Sequence, residues 1–171
     1  MSDDPRLAAS FPQSAELGEL LVGRGLTVAV AESCTGGLLA AALTAVPGSS
    51  RYMRGGVVAY ADEVKRDVIG VDAELLATRG AVSPAVAAEM ARGVARFLHT
   101  DLGIAVTGVA GPGAEGTSKP VGLIYVAGWL ADLTEALELR EPGDREANRA
   151  AAVRAALSAG SRLVTATISP T

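Results

Sequence analysis

Cysteine and histidine are almost missing from this sequence: each occurs once, as Cys34 and His99. A zinc site draws on about four N, S or O ligands, usually with several Cys or His among them, so metal-centred chemistry is a weak reading. A single thiol closes no disulfide within the chain and fits a reducing compartment. Long apolar runs are missing too. None approaches the ~20 residues that cross a bilayer. The N-terminal MSDDPRLAAS is acidic and leads into no apolar signal segment. The expectation is a soluble, cytoplasmic protein with no membrane partner. The net charge of −4 gives no electrostatic reason to expect a nucleic-acid partner, because neutralising phosphates needs a clustered basic face. Lysine is the scarcest cation, with two (Lys65 and Lys119) against thirteen arginines. Arginine cannot accept a proton near neutral pH, whereas a desolvated lysine can, so both lysines invite attention.

What is present suits one packed domain: 171 residues, 49% hydrophobic and 20% charged. A domain of this size needs no disulfide or metal to hold it. Residues 1–12, with Pro5 and Pro12, read as a loose tail, 13–165 as the domain and 166–171 as a short C-terminal tail. Leu17, Leu20 and Leu21 have helical spacing, ended near Gly25. Residues 26–31 read as a buried strand, followed by a helix over about 36–46 that stops at Pro47-Gly48. A second strand spans 56–60, with helical turns from Asp62 and from Val71. Ser83-Pro84 caps a helix with Val86, Met90, Val94 and Phe97 on its apolar face. Residues 102–107 form a third strand. Residues 121–129 and 134–140 form an antiparallel hairpin around Ala131-Asp132. Pro142-Gly143-Asp144 then opens a last long helix. Strands separated by helices predict an α/β fold: a three-layer α/β/α sandwich with a mixed, mostly parallel sheet of about five strands.

In such sheets ligands bind beyond the carboxyl ends of the parallel strands. Three strand ends carry unusual loops: Glu32 to Gly37, Tyr60 to Lys65, and Thr107 to Gly113. Ser33 stands between a buried strand and a helix start, where backbone N–H groups and the helix dipole favour an oxyanion or a phosphate. Gly36 and Gly37 let a ligand approach the backbone. The plainer alternative makes Ser33 or Thr35 a helix cap. A nucleophilic serine needs a base. His99 ends a helix, opposite in strand sense to these loops, so Lys65 is the better candidate: a desolvated lysine can accept the serine proton. Lys65 as a solvated lysine beside Asp62, Glu63 and Arg66 is the competing view. Cys34 is an alternative nucleophile or a small packing residue. The glycine loop 108–113 fails both G-x-G-x-x-G and G-x-x-x-x-G-K-[ST], which argues against nucleoside triphosphates but leaves a pocket-lining role. Arg145, after the 142–144 turn, meets an anion or faces solvent.

Seven segments occur together in order: Ala31–Gly37, Pro47–Ser50, Gly55–Lys65, Gly80–Ser83, Thr107–Pro112, Lys119–Gly122 and Pro142–Arg145. Over about residues 13–165 the chain resembles the C-terminal domain family of competence/damage-inducible protein CinA, also known as nicotinamide-nucleotide amidase. The resemblance implies a three-layer fold and the deamidation of nicotinamide mononucleotide to nicotinate mononucleotide and ammonia, in pyridine-nucleotide salvage and without a cofactor. By the same resemblance Ser33 is the nucleophile, Lys65 the general base and Tyr60 an active-site tyrosine. Ser49 and Ser50 become pocket serines. Thr107, Gly108, Ala110 and Gly111 form the glycine loop, and Arg145 is the family's arginine; Thr35, Gly36 and Gly37 complete the binding set. A homodimer or larger homo-oligomer is implied as well. Many family members carry a separate N-terminal pyrophosphatase-type domain, for which this length leaves no room. The rival expectations are a non-catalytic nucleotide-binding domain associated with competence, and an amidase for another small amide.

Overall fold

Alternation of large and small residues along the strands organises the molecule. In β1 (Val28–Glu32) the valines point to one side and Ala29 and Ala31 to the other. Leu102, Ile104 and Val106 of β3 (Leu102–Gly108) join the valines, whereas Gly103 and Ala105 lie on the alanine side. β4 (Leu123–Leu130) continues the pattern, with Ile124 and Val126 on the large side and Ala127 on the small. Two different cores follow. The computed structural model describes residues 7–114 and 116–167.

On the large-residue face lie α2 (Gln13–Arg24), α3 (Leu38–Thr44) and α7 (Arg145–Ala166). On the small-residue face lies α6 (Pro84–Phe97), flanked by α4 (Asp62–Asp67) and α5 (Ala73–Arg79). The small residues set how close α6 comes. A Cβ on Gly103 would stand 1.9 Å from the Ala91 carbonyl oxygen, so any side chain there would push helix and strand apart. β2 (Met53–Val58) and β5 (Leu133–Arg140) form the edges of a five-stranded mixed sheet in the order β2-β1-β3-β4-β5. β1 pairs in parallel with β2 and β3, and β4 runs antiparallel to both neighbours. The expected three-layer α/β fold is therefore present. None of the described helices is long and apolar enough to cross a membrane.

Several boundaries differ from expectation. Residues 7–10 form a short helix, α1 (Leu7–Ser10), and Phe11 is buried in the core, so the part of the expected tail that is described packs on the domain. Residues 1–6 and 168–171 lie outside the described residues. Phe97, expected on the buried face of α6, is 49% exposed. It is the last residue of the helix, and the buried stripe is completed instead by Ala87, Ala91 and Ala95. The α3 helix starts at Leu38 because Gly36 and Gly37 have φ of 56° and 100°, conformations that a helix cannot use. Ala131 and Asp132, with φ of 50° and 65°, form the two-residue turn that the twist of the β4–β5 hairpin demands.

Candidate active site

From β1 the chain crosses through α3 to β2 on one side, then through α4 to α6 to β3 on the other. That reversal opens a crevice beyond the carboxyl ends of β1 and β3. A cavity of about 280 Å³ lies there. Its lining brings together segments far apart in sequence: Ser33 and Cys34 after β1, Tyr60 and Asp62 after β2, Gly108 at the end of β3 with residues 109–111 after it, and Arg145 at the start of α7.

Ser33 is half-buried, and its N–H donates to the Val106 carbonyl at 2.9 Å, extending the β1–β3 pairing by one residue. The Gly36 N–H closes back on the Ser33 carbonyl at 3.1 Å. Glu32, wholly buried, accepts from the N–H groups of Gly37 (3.1 Å), Leu39 (3.0 Å) and Ala40 (2.8 Å). It caps α3 because Gly37, at the cap position, has no side chain to do so. This corrects the expected anion site: most of the N–H groups at the start of α3 are already taken. Among the described residues the N–H groups of Cys34 and Thr35 make no hydrogen bond to another residue. They immediately follow the serine, where an oxyanion would sit.

Lys65 is 1% exposed, which excludes the solvated-lysine alternative. Its Nζ donates to the Tyr60 carbonyl oxygen at 3.0 Å and to Asp62 Oδ1 at 3.2 Å, two residues that line the cavity. Lys65 and Ser33 share no hydrogen bond among the described residues. Tyr60 is 58% exposed at the rim, and its hydroxyl accepts from Arg145 at 3.3 Å. Arg145 also donates to the Gly111 carbonyl at 2.7 Å, so one guanidinium ties the tyrosine rim to the glycine loop. Gly108 sits where a Cβ would come within 2.8 Å of the Ile124 backbone, which explains why the loop starts on glycine.

Other expected site residues lie elsewhere. Ser49 and Ser50 precede β2 and stand at the opposite end of the sheet from Ser33, so within one chain they do not join this cavity. Thr107 is buried behind the wall, its hydroxyl donating to the Ala81 carbonyl at 2.8 Å and holding that cavity-lining residue in place. Thr35 is buried and Gly36 and Gly37 serve the turn; none of the three lines the cavity. Ala110, Gly108 and Gly111 do line it.

Two residues went unread in the sequence. Glu32 is one; a glycine at a helix start is the signal that an acceptor must come from elsewhere. Asn148 is the other. It is buried and donates to the carbonyls of Ala110 (3.1 Å) and Gly143 (2.9 Å), fastening the glycine loop to α7. Its signal is an amide at helical spacing from the buried Ala152 and Ala156.

Burial pushes the Cys34 thiol up from 9.0 to about 11, against the smaller opposing pull of a backbone N–H and of Arg149 and Arg145. Such a thiol stays protonated near neutrality and is a poor nucleophile. Its folded form holds the proton more tightly than the unfolded chain does. The linked stability is therefore present below pH 9 and lost as pH rises through about 11. Cys34→Ala should remove roughly 3 kcal/mol of that alkaline loss in urea titrations across the window. Native Cys34 should also resist alkylation at pH 7.

A family model described as the CinA C-terminal domain matches residues 11–164. The chain belongs to the CinA C-terminal domain family. Among its relatives, a putative competence-damage inducible protein of Desulforudis audaxviator is 53% identical over 143 residues, covering 82% of this chain and 34% of that protein. A CinA-like protein of Gloeobacter violaceus is 54% identical, covering 71% of this chain and 28% of its own length. The chain thus spans about a third of the length of the curated relatives it matches. Solved CinA structures match most of its length. A CinA superfamily protein from Klebsiella pneumoniae superposes with a TM-score of 0.87 at 37% identity, covering 92% of this chain and 98% of that one. The competence/damage inducible protein CihA from Agrobacterium tumefaciens gives 0.85 at 38%, covering 98% and 99%.

Proposed function

We propose that this CinA domain is an amidohydrolase that converts nicotinamide mononucleotide to nicotinate mononucleotide and ammonia. The observation that carries the reading is Ser33: half-buried at the carboxyl end of a central strand, facing a cavity, and followed by two N–H groups that make no hydrogen bond to another residue. Walls of glycine and alanine backbone suit a flat ring, and Arg145 suits a phosphate. Ser33 Oγ attacks the carboxamide carbon while Lys65 takes its proton. The N–H groups of Cys34 and Thr35 hold the oxyanion. The C–N bond breaks as Lys65 gives that proton to the leaving amide nitrogen, which departs as ammonia, with Tyr60 at the rim, and water then cleaves the acyl-serine ester to the acid and free Ser33. For this Lys65 Nζ moves from Asp62 to Ser33. The reaction belongs to pyridine-nucleotide salvage in the cytoplasm, carried out by a homo-oligomer.

One observation favours a nucleotide-binding domain without catalysis instead: Lys65 is engaged by Tyr60 and Asp62 rather than by Ser33. Ammonia release decides between the two. The expected kcat/KM for nicotinamide mononucleotide exceeds that for the riboside and for free nicotinamide by ~10- to 100-fold, the worth of one charge-assisted arginine–phosphate pair. Equal rates on all three would contradict the Arg145 pocket and point to an amidase for another small amide. No ammonia from any of them would leave the binding domain.

A further inference from the structure

A second, larger cavity of about 490 Å³ lies along the other side of Arg145, between α1, α3 and the first turns of α7. Leu7, Phe11 and Leu38 give it an apolar wall, and Arg145, Arg149 and Arg154 face it with three positive charges against one, Glu146. Arg149 spends one nitrogen on the Thr35 carbonyl at 2.8 Å, while its Nε is buried with no partner among the described residues. Arg154 is exposed and has no ion pair among the described residues. Clustered arginines repel one another until an anion joins them.

We propose that this groove is a binding site for an organic phosphate, separate from the Ser33 cavity. The phosphate engages Arg149 and Arg154, and the organic body lies on Leu7, Phe11 and Leu38. Arg145 stands between the two cavities, so a ligand that draws it toward the groove competes with its bonds to Gly111 and Tyr60. The site does not depend on the amidase reading, because binding is read without turnover.

The test is calorimetric titration of the full chain with adenosine monophosphate and, separately, inorganic phosphate. The apolar wall should make the nucleotide bind about tenfold more tightly than phosphate alone. Arg154→Ala, at an exposed position that should not disturb folding, should weaken nucleotide binding about tenfold, and Arg154→Lys should recover part of it. Unaltered nucleotide affinity in Arg154→Ala would assign the ligand to the Ser33 cavity and overturn the proposal. Equal affinity for nucleotide and phosphate would overturn it too, as would no binding by wild-type protein.

Discussion

Ser33→Ala lowers ammonia release from nicotinamide mononucleotide by ~10⁴-fold or more, and the protein keeps its fold. The hydroxyl contributes little to stability: what ties Ser33 to the sheet is its N–H bond to Val106, which alanine keeps. The loss is therefore chemical. Lys65→Met, which preserves the buried stem and removes the amine, should cost ~10²–10⁴-fold, the usual worth of a general acid–base group. The two effects should not multiply, because an activated nucleophile and its base act as one unit. The double variant should be no slower than Ser33→Ala alone. Steady-state ammonia assays on the three proteins check this, with circular dichroism to verify folding. Wild-type turnover in Lys65→Met would falsify the base assignment and leave Lys65 as a brace that holds the Tyr60–Asp62 rim.

Glu32→Ala destabilises the domain by about 5 kcal/mol or more, the worth of three hydrogen bonds to one carboxylate, and disables the Ser33 loop at the same time. One buried carboxylate accepts from three N–H groups at the start of α3. Hydrogen bonds to a charged group contribute about 1.5–3 kcal/mol each, and alanine leaves all three donors unsatisfied. Glu32→Gln is milder. Its oxygen can keep the bonds to Gly37 and Leu39, but its NH₂ meets the Ala40 N–H donor to donor. About half the loss is expected. Urea unfolding measures both. Because Ser33 lies between Glu32 and the helix that Glu32 caps, Glu32→Gln should also slow turnover at temperatures where it remains folded. An unchanged urea midpoint in Glu32→Ala would mean that water replaces the cap at little cost.

The layered fold was legible because periodicity reports burial. Strand segments with alternating valine and alanine, and helices such as α6 with apolar residues at turn spacing, each match one partner surface. The hairpin turn at Ala131-Asp132 and the Ser83-Pro84 helix start are local signals that need no tertiary information. Ser33 and Lys65 stood out for similar reasons: a hydroxyl at a strand end, and a rare cation after the next strand. Ser49 and Ser50 show the limit. Tyr60 lies only ten positions after Ser50, yet the run of β2 carries them to opposite ends of the sheet.

Ser33 as a candidate nucleophile at a strand–helix junction was decided by the sequence, since strand period and helix start are local properties. Tertiary structure alone decided its surroundings. It buried Lys65, gave the α3 N–H groups to Glu32, and set Arg145 against Tyr60 and Gly111. Those outcomes depend on which strand ends meet at the β1–β3 crevice and on which donors find acceptors there. No spacing along a single chain encodes either.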